Sequence, residues 1–126
     1  MRRTEQRRAA VFALYQQDVT GRPLADLLDP RAKPFTRELV EGAGAEAEEL
    51  DALIERHARD WSVDRIAPLE RNILRVALYE LLRRDDIPAE VAIDEAVESA
   101  KELCSAEAPG FINGILGAVQ RERAAA

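Results

Sequence analysis

Nucleophiles and metal ligands are scarce in this chain, which has one cysteine, Cys104, and one histidine, His57. A single cysteine forms no intrachain disulfide and no multi-cysteine zinc site, and no recognisable motif pairs it with a base. His57, between Arg56 and Ala58, reads as a solvated residue on a surface helix rather than a catalytic group. The acidic residues fall along helix faces, not in the spaced, buried pairs that acid–base chemistry requires, and neither a Gly-rich phosphate loop nor a metal-ligand cluster is present. The expectation is a protein that binds rather than catalyses, without a cofactor.

Binding chemistry is concentrated in three places. The first is Arg2, Arg3, Arg7 and Arg8, opposed locally only by Glu5. Cations in the first turn of a helix oppose its dipole, so helix stability does not account for them. On a helical projection Arg7 continues the line of Val11 and Leu14, and Arg8 that of Phe12 and Tyr15. The core-facing side is thus expected to turn basic as it leaves the core, an edge suited to phosphates; a solvated basic terminus is the plainer reading. Charge reversal of Arg7 and Arg8 is accordingly expected to spare the fold.

The second place is Phe111, flanking the apolar stripe Ile112, Ile115, Leu116 and Val119. It is either core or a platform on which an unpaired base stacks, with Lys101, Glu107 and Asn113 supplying polar groups for base edges and sugar hydroxyls. The third is Tyr15 with Asp64 and Glu70, polar or amphipathic residues beside densely apolar segments, which also read as ordinary surface. Trp61 is expected to be a core or connector anchor.

The formal net charge of -6 argues against coating nucleic acid through bulk electrostatics, so any RNA binding must be local. Hydrophobic residues make up 47% and aromatics only 5%, so Ala, Leu, Val and Ile must build the core, which suits close helix packing. The length of 126 residues fits one domain spanning 1–126. No apolar run approaches the ~18 residues that cross a bilayer, and the arginine-rich start lacks the apolar segment of a signal peptide. A reducing cytoplasm is the expected compartment.

The elements that must position these residues are helices throughout. Thr4 to Val19 has apolar residues at helical spacing and is closed by Gly21 and Pro23. Leu24 to Leu28 makes one short turn, and Pro34 opens a helix through Phe35, Leu39 and Val40 that Gly42 and Gly44 are expected to break or kink. A further helix follows from about Ala45 to Ala58, with Leu50, Leu53, Ile54 and Ala58 inward. After a connector, Pro68 starts the most apolar helix, to Leu82, whose narrow polar strip holds Arg71, Asn72, Arg75 and Tyr79. Pro88 opens the next helix and Pro109 the last, whose tail from Arg121 to Ala126 is expected to fray. The fold class is all-α, a compact bundle of about seven helices.

Three ordered motifs carry a family resemblance. They are Leu69-Glu70-Arg71-Asn72-Ile73-Leu74-Arg75-Val76-Ala77-Leu78-Tyr79-Glu80-Leu81-Leu82, then Ile87-Pro88 with Val91-Ala92-Ile93-Asp94-Glu95-Ala96-Val97-Glu98 and Ala100-Lys101, then Phe111-Ile112-Asn113-Gly114-Ile115-Leu116. With Arg7, Arg8, Ala13, Leu14, Tyr15 and Gln16 near the start, the chain resembles the NusB family of bacterial transcription antitermination factors over nearly its whole length. Several motifs in order at matching spacing are specific where one alone is not.

The resemblance implies two packed helical subdomains. It implies binding of single-stranded RNA, the boxA element of nascent ribosomal RNA transcripts, together with the ribosomal protein NusE, in a complex that keeps RNA polymerase from terminating. By position, Arg3, Arg7 and Arg8 fall in the family's arginine-rich RNA-binding start, Lys101, Glu107, Phe111 and Asn113 in its second RNA-contacting region, and Tyr15, Asp64 and Glu70 where it meets NusE. The family occurs as monomers and homodimers, and both stay open. Two alternatives stand beside this reading: a helical protein-interaction module without an RNA role, and the related domain of a ribosomal RNA cytosine methyltransferase, which requires the chain to be a fragment.

Overall fold

Ala, Leu, Glu and Arg make helix the default for this chain, so the prolines and glycines largely decide where each helix starts and stops. The structure, a computed structural model, describes residues 2–59 and 61–126. Among them the helices are α1 (Arg3–Thr20), α2 (Leu24–Leu27), α3 (Pro34–Ala45), α4 (Ala47–His57), α5 (Pro68–Arg83), α6 (Ala89–Leu103) and α7 (Ala108–Ala125), with a 3-10 turn at Val63–Arg65 between α4 and α5. Gly21 ends α1 in the left-handed conformation, φ 74°, its N–H reaching the Gln17 carbonyl at 2.8 Å. Pro34 and Pro68 stand in the first turns of α3 and α5, where the missing N–H costs nothing.

Helix α5 is the axis of the fold, packed against α1, α3, α4, α6 and α7. Its Ile73, Leu74 and Leu78 are fully buried, each contributing about 1.5 to 3 kcal/mol through removal from water. Leu39 and Val40 of α3, Leu50 and Ile54 of α4, and Ile112 and Leu116 of α7 complete the same core.

Several expectations are corrected here. The strip of Arg71, Asn72, Arg75 and Tyr79 is not a solvent face. Asn72 is fully buried, and the other three are half-buried in a polar seam. The tail does not fray at Arg121: α7 runs to Ala125, where the Arg123 guanidinium donates to the Leu81 carbonyl. Of the two places expected for Trp61, core or connector, it takes the second, 53% exposed between α4 and the 3-10 turn.

Gly42 and Gly44 do not break α3 either. The helix runs through both and ends at Ala45. The reason for the glycines is packing: a Cβ on Gly42 would collide with the ring of Tyr79, and one on Gly44 would lie 2.7 Å from Leu24 Cδ1. Tyr79, seated over Gly42, donates from its hydroxyl to Glu38 Oε2 at 3.3 Å. Alanine at a helix interior normally gains about 1 kcal/mol over glycine. Here Gly42→Ala is expected to lose about 1 to 3 kcal/mol by displacing the ring, whereas Gly44→Ala meets only a flexible leucine tip. Thermal melts of both variants check this, and a Gly42→Ala protein more stable than the parent contradicts it.

Candidate nucleic-acid interface

The N-terminal arginines separate into different roles once α1 is packed. Arg7 is 6% exposed. Its Nε lies 3.0 Å from both carboxylate oxygens of Glu80 and its Nη2 2.8 Å from Oε1, while Nη1 approaches Glu95 at 3.5 Å. Thr4 donates to the same Glu95 carboxylate at 2.8 Å. The expectation that Arg7 lies past the core is therefore corrected. Helix α6 extends the core beyond the point where α5 alone would leave α1 exposed, and the arginine fills that space as a buried ion. Burial pushes the Glu80 carboxyl above its usual range, against the hydrogen bonds and charge of Arg7. Such a pair adds little net stability, but losing one member leaves an uncompensated buried charge, so charge reversal at Arg7 is now expected to destabilise the fold.

Arg3 stays exposed, its guanidinium 4.4 Å from the centroid of the Phe35 ring, which Arg7 and Arg84 also approach at 5.3 and 5.4 Å. Arg8 is three-quarters covered and bonds Glu102 on α6 at 2.6 Å. The cleft beside it, about 350 Å³, carries Asp94, Glu95, Glu98 and Glu102. Lys101 is exposed on the same helix, 3.2 Å from Glu98. The edge is thus a mixed-charge surface with a negative excess, not a cationic strip.

Phe111 is neither core nor free. It is half-buried on the first turns of α7, packed on the core, with Glu107 and Asn113 exposed on either side in sequence. It sits where two clefts meet. One, about 330 Å³, is shared with Trp61, Arg65, Glu70 and Glu107; the other, about 610 Å³, with Arg56, His57, Arg59 and Arg121. His57, expected to be solvated, is instead tucked between α4 and α7 with Nε2 3.1 Å from Glu122 Oε2.

Glu70 belongs to the first cleft. Burial lifts its carboxyl pKa, a hydrogen bond with Ser105 opposes this, and the charge of Glu107 adds to it. Burial and the charge of Glu70 push the Cys104 thiol up to about 11, so it stays protonated and inert at neutral pH. Glu70, expected at a protein contact, and Phe111 and Glu107, expected at RNA, thus share one cleft.

The polar seam fixes this end of the molecule. Asp18 near the end of α1 accepts from Arg71 Nε at 2.6 Å, Asn72 Nδ2 at 3.0 Å and Arg75 Nη1 at 3.1 Å. Arg75 also binds Asp51 of α4 in bidentate fashion, both bonds 2.7 Å. Arg71 reaches on to the carbonyls of Val63 and Ile66, holding the turn that carries exposed Asp64. Tyr15, half-buried, precedes Asp18 by one turn of α1. The seam thus ties the turn that carries Asp64 to the end of α1 through Arg71 and Asp18.

This all-helical architecture and its ordered motifs match known proteins. The model of the NusB family matches residues 4–121. The chain belongs to the NusB family. It is 41% identical to the transcription antitermination protein NusB of Myxococcus xanthus, over 94% of this chain and 93% of that one. It superposes on the structure of NusB from T. maritima with a TM-score of 0.87 at 36% identity, covering 97% of this chain and 92% of that one. A chain of the crystal structure of the antitermination factors NusB and NusE with double-stranded RNA gives 0.83 at 28% identity, covering 97% and 99%.

Sequence reasoning missed the Arg56, Arg59 and Arg121 cleft on the far side of Phe111, although basic residues at the ends of two adjacent helices are visible in the NusB-like sequence. It also missed Asp18, a lone acid aligned one turn beyond the Leu14 and Tyr15 pair. Burial raises the Asp18 pKa, but the bonds from Arg71 and Asn72 and the charges of Arg75 and Arg71 outweigh it, holding the carboxyl below its usual value. A depressed folded pKa stabilises above the unfolded value, about 3.9, and that contribution disappears as pH falls through the folded one. Asp18→Asn is expected to lose on the order of 2 kcal/mol at neutral pH and to show a flatter fall in stability below about pH 4. Denaturant midpoints across that range test it; parallel pH profiles for the two proteins contradict it.

Proposed function

We propose that this chain is a transcription antitermination factor that binds the boxA element of nascent ribosomal RNA transcripts together with NusE, preventing premature termination by RNA polymerase. It is a binding protein rather than an enzyme, the function by which its relatives in the NusB family are named. Among the described residues no helix is long and apolar enough to cross a membrane. Its place of action is the cytoplasm, where transcripts emerge.

The observation that carries the RNA reading is the position of Phe111. A half-buried aromatic, braced by the core and open to two clefts, is pre-positioned to stack an unpaired base. Lys101 supplies a phosphate contact, and Glu107 and Asn113 supply an acceptor and an amide for base edges. Arg3 and Arg8 extend the contact along α1, with Arg7 beneath them as the residue that positions the helix. Tyr15, Asp64 and Glu70 form the NusE face; the Arg71 bonds that hold the Asp64 turn to Asp18 of α1 support this reading.

The same geometry limits affinity. Arg8 and Lys101 are each engaged by a carboxylate, and the whole chain is at -6. RNA must compete with those pairs, so binding by the chain alone is weak and falls further with salt. NusE adds contact surface and raises the affinity.

Titration of a labelled boxA single strand, with and without NusE, tests this. Phe111→Ala is expected to cost about 1 to 3 kcal/mol of RNA binding and less stability than the about 3 to 5 kcal/mol of a fully buried aromatic. Lys101→Glu should weaken binding and flatten the salt dependence at an unchanged melting temperature. Unaltered RNA affinity per folded molecule in both variants refutes the interface.

A further inference from the structure

Trp61 is the chain's only tryptophan, and it stands 53% exposed on the connector between α4 and the 3-10 turn. A single exposed apolar side chain needs no explanation. This one lines a cleft of about 330 Å³ together with Phe111, the aromatic at which the RNA reading is centred. The connector is tied down, because Arg71 bonds the Val63 and Ile66 carbonyls.

The remaining groups in and around the cleft have the chemistry of a nucleobase site. Glu70, Glu107 and Ser105 line it, and such acceptors take hydrogen bonds from the exocyclic amines of adenine, cytosine or guanine on their pairing edges. Arg65 lines it as well, a planar cation suited to a phosphate or to the face of a base. On the other side of Phe111, Arg59 and Arg121 are exposed and Arg56 lies near them, its guanidinium 3.4 Å from Glu122. A strand crossing Phe111 toward the connector therefore meets Arg65 on one side, beside Glu70 and Glu107, and Arg56, Arg59 and Arg121 on the other, beside Glu122. Two aromatics with acceptors beside them and arginines at either end suit a nucleobase and its phosphates, whereas an acidic peptide would use the arginines and leave the aromatics and acceptors unmatched.

We infer that Trp61 is a second stacking position for single-stranded RNA: one unpaired base inserts into the cleft between Trp61 and Phe111, with Arg65 and the Arg56, Arg59 and Arg121 group holding the flanking phosphates. The inference rests on the RNA reading above and extends the bound strand beyond the α1 and α6 residues toward the α4–α5 connector.

Because Trp61 is the only tryptophan, its fluorescence reports on the cleft without added probes. The protein is mixed with an end-labelled single-stranded RNA of mixed sequence, in the presence of tryptophan-free NusE. Label anisotropy reads RNA binding and tryptophan emission reads stacking in the same sample. The expected result is quenching of Trp61 that tracks the anisotropy isotherm, little quenching by the same sequence as a duplex, and an affinity about 5- to 160-fold lower for Trp61→Ala, the range set by loss of one stacked base. Trp61→Phe should recover most of the affinity, and both variants should melt with the parent protein because the side chain is largely exposed. RNA that binds while Trp61 emission and the Trp61→Ala affinity stay unchanged overturns this inference and leaves the RNA reading standing. Absence of any anisotropy change removes both. Quenching by NusE alone, with Trp61→Ala weakening only that contact, also overturns it by making the residue part of a protein interface.

Discussion

A buried guanidinium holds the first helix of this protein in place. Arg7 inserts between α5 and α6 and is met by both oxygens of Glu80 and, at longer range, by Glu95. Aliphatic contacts elsewhere along α1 tolerate sliding and rotation; a bidentate ion pair does not, since any misplacement strands a charge where water cannot reach it. The pair therefore contributes register more than net stability. It sets where Arg3 and Arg8 emerge, and through the rigid helix where Tyr15 and Asp18 fall at the opposite end.

The second fixed point is the seam around Asp18. Three residues of α5, one turn of connector and α4 converge on it and on Asp51. With α1 pinned at one end by Arg7 and at the other by Asp18, the two expected faces have a defined relation along a single helix. The residues proposed to face RNA lie toward the start of α1, near the end of α6 and at the start of α7, while those proposed to face NusE lie on α1, the 3-10 turn and the start of α5. They meet in the cleft that holds both Glu70 and Phe111. The proposed gain in RNA affinity with NusE would follow from such adjacency.

The helices and core were legible because apolar spacing and proline placement report directly on local structure. Pro34 and Pro68 stand in opening turns, and Ile73, Leu74 and Leu78 lie inside as their period requires. The polar interior was not legible. Arg7, Glu80 and Asn72 look on a helical projection like residues at the margin of an apolar face, and only the position of a second or third helix decides whether that margin is wet. Gly42 misled for a related reason, since its role is to admit the Tyr79 ring from another helix, which a local propensity does not contain. Trp61 lies on the connector, one of its two expected places, and its exposure was not legible because it depends on how that connector packs. The candidate site was legible in outline, through Phe111 and its neighbours in the last motif, but not in its electrostatics: the carboxylates of α6 face Arg8 only once the two helices pack.

The claim on which the rest depends is that Arg7 and Glu80 act as one buried unit and not as two independent polar residues. A double-mutant cycle on Arg7→Met, Glu80→Leu and the pair, read by denaturant unfolding, tests it most directly. The structure predicts that each single change costs about 3 to 5 kcal/mol by orphaning its partner, while the double change to apolar side chains recovers most of that loss. Single changes of small effect that simply add would show Arg7 to be a surface residue and would return it to the solvent-facing edge.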